Sequence, residues 1–258
     1  MQSRKNRFLA PLIANVVLTL TVIGLAHAKA PPPPKHLTWA QRLVDTVKPV
    51  ANAYGAPAHI TWKTENGLTY STNRSKCASL VSQLLVKAYG DDFAGWLGCA
   101  SPNAATYHDA IEVEDGFSLI ESVHAIAVGD VIAIRYFDAG CTALSCGAAK
   151  GCTVSGHVAL IAAAPQARAA TAPIVPGTQQ FTVDVIDSSS DIHGSSDTRY
   201  QADPKHLDDA GVGRGTMRLY VDAADPAHPV VGYTWSTWSG SVYHSSVTRD
   251  LVIGRIRH

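Results

Sequence analysis

From residue 128 onward the chain is a succession of short apolar runs parted by Gly, Pro, Ser and Asp clusters, and this rhythm restricts its fold more than any other feature. Runs rich in Val, Ile, Tyr and Phe between turn formers read as strands. They fall at 131–137, 157–163, 181–187, 217–221, 230–235 and 251–256. The turn Val128-Gly129-Asp130 introduces the first of them. Residues 162–179, rich in Ala and Pro, read as a long hairpin excursion.

The first half reads differently. Thr38 and Gln41 have capping-box spacing and open a helix carrying Trp39, Leu43 and Val47, which Pro49 bends or ends. Residues 55–74 hold Gly, Pro, Asn and Thr and read as loop, with a short extended piece at 59–62. Over 75–89, Leu80, Val81, Leu84, Leu85 and Ala88 recur at helical spacing, with Ser75 as cap and Gly90 as stop. Ser101-Pro102 starts a further helix through Ile111. Helices first and a meandering antiparallel sheet afterwards predict an α+β domain, with neither repeats nor a second domain.

The N-terminus carries a targeting pattern. Arg4, Lys5 and Arg7 precede an apolar run over 8–25, and Ala26-His27-Ala28 gives the small-x-small end that a signal peptidase accepts. This predicts a signal peptide over 1–28, a proline-rich tether over 29–37 and a single folded domain over 38–258. An uncleaved membrane anchor is the alternative. The run is short for a span and Pro11 interrupts it. With the leader removed, no stable membrane insertion is expected, and the location is periplasmic or secreted.

Export implies an oxidising compartment, which makes the five cysteines informative. Cys99, Cys141, Cys146 and Cys152 suffice for two bridges in any of three pairings, and the odd thiol left over is Cys77. The 21 basic and 21 acidic residues balance without a basic stripe, which argues against nucleic acid as a partner. The 11 histidines form no HExxH and the cysteines no paired CxxC, so neither a metal nor a cofactor is predicted.

In the first turn of its helix, Cys77 would lie among unpaired backbone N–H groups that favour a thiolate and bind a developing oxyanion. The bland alternative is an inert core cysteine. A nucleophilic thiol needs a base, and the base an orienting group. His157 stands at the mouth of an apolar strand beside Gly156, which lets another backbone or a substrate approach closely. On the next strand Phe181, Val183, Val185 and Asp187 share a face, so Asp187 can reach His157 if the strands are neighbours. Otherwise Asp187 and Ser188 simply start a turn.

Three blocks add a resemblance. Cys77-Ala78-Ser79-Leu80-Val81 resembles the nucleophile helix of NlpC-type papain-like cysteine peptidases, whose pattern is Asp-Cys-Ser-Gly and then apolar residues. Ala127-Val128-Gly129-Asp130-Val131-Ile132 resembles their Pro-Gly-Asp-Leu-Val strand entry, and Gly156-His157-Val158-Ala159-Leu160-Ile161 their His-Val-Gly-Ile-Tyr strand. The blocks occur in the family order. The resemblance implies a papain-like α+β fold with N-terminal helices packed on an antiparallel sheet, and Cys77 as nucleophile, His157 as base and Asp187 as the third residue. It further implies an exported hydrolase that cleaves an amide bond in peptidoglycan stem peptides. Lys76 stands where the family has Asp, and Asp187 where it commonly has His. The upstream tyrosine that serves the family's oxyanion hole would be Tyr70, or Trp62 in its place.

The alternative function is a non-catalytic cell-wall or partner-binding protein using Trp235 and Trp238, which stack well on sugar or peptide planes, or the cysteine-rich loop. Gly211-Val212-Gly213-Arg214-Gly215 lacks the helix and Lys of a phosphate loop and reads as a mobile turn. The sequence leaves the oligomeric state open.

Overall fold

A computed structural model describes residues 32–137, 143–145, 148–150, 154–200, 210–225 and 227–257. The chain divides into two units, Met1–Pro32 and Pro33–His258. The leader expected over 1–28, and Cys141, Cys146 and Cys152, lie outside the described residues. Among the described residues, no helix is long and apolar enough to cross a membrane.

The described residues form three α-helices: α1 (Lys35–Thr46), α2 (Cys77–Tyr89) and α3 (Ala104–Glu112). Helix α1 takes in the last residues of the segment read as tether. It buries His36, Leu37, Ala40 and Leu43, a helical stripe. Between α1 and α2 run β1 (Val47–Tyr54), β2 (His59–Thr61) and β3 (Ser71–Ser75), in the order β1-β3-β2. The remaining strands are β4 (Phe117–Leu119), β5 (Val131–Tyr136), β6 (Ala143–Ser145), β7 (Ala148–Lys150), β8 (Gly156–Arg168), β9 (Thr178–Ser189), β10 (Gly211–Asp222), β11 (Val230–Thr234), β12 (Tyr243–Ser245) and β13 (Arg249–Ile256). Strands β6 and β7 pair with each other. The others form one antiparallel sheet in the order β12-β11-β10-β9-β8-β5-β13-β4.

The predicted α+β, papain-like NlpC-type architecture of N-terminal helices packed on an antiparallel sheet is therefore corrected. The described residues are mostly β, with an eight-stranded antiparallel sheet, a separate three-stranded sheet and three α-helices. Two segments account for the difference. Residues 47–75, read as helix end and loop, form the smaller sheet. Pro49 is tolerated in β1 because β1 is an edge strand, where a missing N–H breaks no ladder. The second segment is the supposed excursion after residue 162, where β8 continues to Arg168 and pairs there with β9. Its Ala, Pro and polar residues carry little strand propensity, and the long ladder with β9 overrides that.

Both faces of the large sheet are buried. One carries Val131, Ala133, Val158, Leu160 and Ile186, covered by Leu80, Val81, Leu84 and Leu85 of α2 and Tyr107 and Ile111 of α3. The four aliphatic residues of α2 are fully buried, each stabilising by about 1.5–3 kcal/mol. The other face carries Ile132, Ile134, Ala159, Ile161, Val183, Val185, Met217 and Leu219. The sheet coils until β11 comes against β13, enclosing this second core. Burial on both faces is why 131–134 and 157–161 read as continuous apolar runs rather than alternating ones.

Candidate active site

Cys77 is the first residue of α2, entered directly from β3. Ser75 is not the cap. It ends β3, donates its hydroxyl to Asn73 Oδ1 at 2.7 Å, and its carbonyl accepts from Ser188 Oγ at 2.8 Å. The helix opens instead at Lys76, whose N–H donates to Ser79 Oγ at 2.9 Å. Asn73 Nδ2 donates to Asn52 Oδ1, and Asn52 in turn holds both the N–H and the carbonyl of Val212. These bonds tie the small sheet and the entry to α2 onto β9 and β10, which fixes where the sulfur lies.

The structure brings Cys77, His157 and Asp187 together. Register explains the last two. Leu160 pairs with Ile186, so His157 and Asp187 both fall on the opposite face, diagonal to each other. Asp187 Oδ2 accepts from His157 Nε2 at 2.7 Å. The thiol of Cys77 is hydrogen-bonded to the same ring. Since Nε2 is engaged by the carboxylate, Nδ1 is the nitrogen left for the sulfur. Gly156 precedes the histidine with φ +149°, and a Cβ there would come 1.8 Å from the Ile134 carbonyl oxygen. No other residue lets β8 begin so close to β5.

Burial alone raises a thiol pKa and lowers that of an imidazole. Here the pair reverses both. For Cys77, burial pushes up, but the His157 charge and hydrogen bond, with the N–H groups of Val158 and Ala78, carry the thiol below its ordinary value. For His157, burial pushes down, but the Cys77 charge and the bond to Asp187 bring the ring up to about 9. Asp187, fully buried, is held well below the usual carboxylate range against its burial by the charges of His193 and Arg199 and by hydrogen bonds from both histidines. Both shifts favour a thiolate–imidazolium pair anchored on a carboxylate.

Cys77 lines a cavity of about 590 Å3 whose walls include Tyr54, Lys76, Gln83, Ser101 and Ser155. The tyrosine at this cavity is Tyr54 at the end of β1, neither Tyr70 nor Trp62. Tyr70 lies beneath Lys48 Nζ at 4.6 Å, and Trp62 packs edge-on to Trp39 and donates to its carbonyl. Burial, then the charges of Cys77 and Asp187, push the Tyr54 hydroxyl up to about 12, so it stands as a proton donor.

Behind Asp187 is a layer that the sequence reading did not assemble. Arg199 Nη2 donates to Asp187 Oδ1 at 3.0 Å and to Asp197 Oδ2 at 2.7 Å, and His193 Nε2 lies 3.0 Å from Asp187 Oδ2. Trp235 stacks on His193 at 4.3 Å and meets His157 edge-on at 4.6 Å. It therefore walls the two imidazole rings; Trp238 is half exposed. The glycines 211–215 are no mobile turn but the first residues of β10. A Cβ on Gly213 would sit 2.5 Å from Arg199 Nε, and one on Gly215 2.5 Å from His193 Cβ. Glycines at alternate positions in a strand signal that side chains from elsewhere lie flat on that face.

Cys77 is a free, buried thiol and Cys99 is disulfide-bonded. Among the described residues, one group has metal-ligand spacing: His108, Asp109 and Glu112 on α3. Arg135 Nη1 of β5 contacts Asp109 Oδ1 at 2.6 Å, and Asp250 Oδ2 of β13 lies 3.1 Å from the far side of His108, so these side chains tie α3 to both strands.

Comparison with known proteins places the chain beside few others. No family model matches it, and no solved structure matches it. An uncharacterized protein of Acanthamoeba polyphaga mimivirus is 26% identical over 237 residues, spanning 86% of this chain and 96% of the relative.

Proposed function

We propose that the chain is a thiol hydrolase that cleaves an amide bond by acyl transfer through Cys77, His157 and Asp187. The observation that carries this reading is the His157 ring held between the Asp187 carboxylate and the thiol of Cys77, which lines a cavity. The Cys77 thiolate attacks the carbonyl carbon and forms a C–S bond. The oxygen takes up the electron pair, beside backbone N–H groups at the start of α2 and the Tyr54 hydroxyl. The oxyanion collapses, the C–N bond breaks, and His157 gives its Nδ1 proton to the departing nitrogen. Water then attacks the thioester, loses a proton to His157, and the C–S bond breaks to release the acid and restore the thiolate.

An exported location and a cell-wall stem peptide as substrate rest on the leader pattern and the three family-like blocks. The cavity walls are in keeping with a peptide, since the described lining is mostly small, hydroxyl and amide side chains. A binding protein has no use for an ionised thiol hydrogen-bonded to an oriented imidazole, and this favours the enzyme. The test is digestion of purified peptidoglycan by the protein and by Cys77→Ala, with fragments read by mass. New fragments with the wild-type protein alone support the reading. Identical patterns from both remove that substrate, and failure on simple peptide amides and esters as well removes the hydrolase.

A further inference from the structure

The hydrogen bonds around His193 allow only one proton count. Its Nδ1 lies 2.7 Å from the Trp235 carbonyl oxygen, and its Nε2 lies 3.0 Å from Asp187 Oδ2. A carbonyl and a carboxylate only accept. Each ring nitrogen must therefore carry a hydrogen, and the ring is a cation. A neutral tautomer would set a lone pair against one of these oxygens inside a fully buried site, where an unmade bond to a charged group is costly.

Charge bookkeeping agrees with this count. With His193 doubly protonated, the buried cluster sets His157, His193 and Arg199 against Cys77, Asp187 and Asp197, three against three. Among the described residues, the charged groups facing His193 are Asp187 from β9, Arg199 and Asp197 from the loop that follows, His157 from β8 and, beyond it, Cys77 from α2. Beneath it β10 offers only Gly215, and β11 leads to the uncharged indole of Trp235.

We infer that His193 is a second imidazolium that takes no part in proton transfer and acts as a positioning residue, holding Asp187 ionised and its Oδ2 aimed at His157. The role rests on the hydrolase reading of Cys77 and His157. Two consequences follow from the geometry. Asp187 Oδ2 accepts from both rings, so neither the carboxylate nor the His157 ring is free to turn, and Nδ1 stays toward the sulfur. Secondly, a fixed positive charge behind Asp187 weakens its pull on the His157 proton. That proton is then easier to surrender to a leaving nitrogen than it would be beside an isolated carboxylate.

His193→Gln keeps a donor for Asp187 but removes the charge. Withdrawing a cation makes an anion less favourable nearby, so the limb on which Cys77 becomes reactive should move to higher pH. The experiment is the pH profile of iodoacetamide labelling at Cys77 in the full chain. We expect the limb in His193→Gln to rise by about one pH unit, which is about tenfold slower labelling at a fixed pH on that limb, with the plateau rate retained. A merely structural histidine would lower the folded fraction without moving the limb.

The wild-type protein supplies a second measurement that needs no variant to fold. Nitrogen-15 spectra of histidine-labelled protein at neutral pH should show two protonated ring nitrogens at His193. A single protonated nitrogen there, or a His193→Gln profile that superimposes on wild type, overturns the inference. A wild-type thiol that reacts only in the ordinary thiol range overturns the hydrolase reading, and the role of His193 with it. A wild-type limb below that range with an unmoved variant overturns the role alone.

Discussion

Asp187 Oδ2 stands 2.7 Å from His157 Nε2, and this one contact decides which nitrogen of the ring is presented to Cys77. The carboxylate also takes His193 and Arg199, so it organises three cations at once. Asp187→Asn removes their common anion. Leaving buried charges without a partner costs about 3–5 kcal/mol, which in a chain of this size lowers Tm by about 10 °C. Labelling of Cys77 at neutral pH should also slow at least about tenfold in the protein that remains folded, because the base loses its orientation. The Asp187 pKa lies below its ordinary 3.8 in the fold, so its stabilisation is complete above that value and is lost as pH falls through the folded value. The Tm gap between wild type and variant should therefore narrow in acid. A gap that persists unchanged into strong acid contradicts the assignment.

The thiolate–imidazolium pair predicts two different pH profiles from one site. Labelling by iodoacetamide needs only the thiolate. It should begin below the ordinary thiol range, since the Cys77 pKa is lowered, and should not decline at high pH. Turnover also needs the His157 proton for the departing nitrogen. It should rise on the same lower limb and fall as pH passes about 9, where the ring deprotonates. Coincident upper limbs for the two measurements would argue that denaturation, rather than loss of a proton, ends activity.

Tyr54→Phe tests the hydroxyl that shares the cavity with Cys77. Its proton is retained up to about pH 12, so at neutral pH it is a donor at the cavity. If it serves the developing oxyanion, removal should lower kcat by about tenfold or more and leave KM and labelling of Cys77 little changed. A rise in KM with kcat intact would make Tyr54 a substrate contact instead.

Gly215→Ala should be among the most disruptive small substitutions in the chain. The added Cβ would lie 2.5 Å from His193 Cβ and 2.6 Å from Asp197 Oδ2. The former is rooted on its own backbone and cannot swing aside. A loss of about 1–3 kcal/mol is expected, together with the alkaline shift of Cys77 labelling that displacement of His193 entails. Gly240→Ala is the control, since nothing lies within 4 Å of its Cβ. Equal melting temperatures for the two variants would show that the glycines of β10 are not making room for the charged layer.

That glycine pattern marks the limit of what the sequence discloses. Cys77, His157 and Asp187 were legible because each sits at a conspicuous boundary: a helix start, a strand mouth and a strand end. His193, Arg199 and Asp197 were not, since they lie in an irregular stretch after β9 and acquire their role only when β10 runs beneath them. The sole trace in the sequence is the spacing Gly211, Gly213, Gly215, which has the period of a strand but suggests a turn by composition. The fold was misjudged for a similar reason. Pro49 and the polar residues before Cys77 oppose strand formation locally, yet Asn52, Asn73 and Ser75 bond across the small sheet and onto β10. Residues 164–168 have little apolar character of their own and are held by pairing with β9. Long-range hydrogen bonds set the backbone in both stretches, and no local window contains them.

Arg218 offers a test of stability uncoupled from the site. It is fully buried, and its two terminal nitrogens donate to the carbonyls of Thr171, Ala172, Thr237 and Trp238, while its Nε has no partner. The guanidinium thus gathers two loops that flank β10 and, among the described residues, pairs with no carboxylate. Arg218→Lys keeps the charge but replaces a planar fork by one nitrogen, which cannot reach four carbonyls in two directions. Buried acceptors left unpaired cost about 1–3 kcal/mol each, so the variant should lose about 2–4 kcal/mol overall after relaxation. These carbonyls are not in the Cys77 cavity, so the lower labelling limb should stay where it is in the folded protein. Arg218→Met, which removes the buried charge as well, should be no worse than Arg218→Lys if the charge itself is a liability. A shift of the limb in either variant would mean that the two loops reach the site through Trp235, and that stability and reactivity are coupled there.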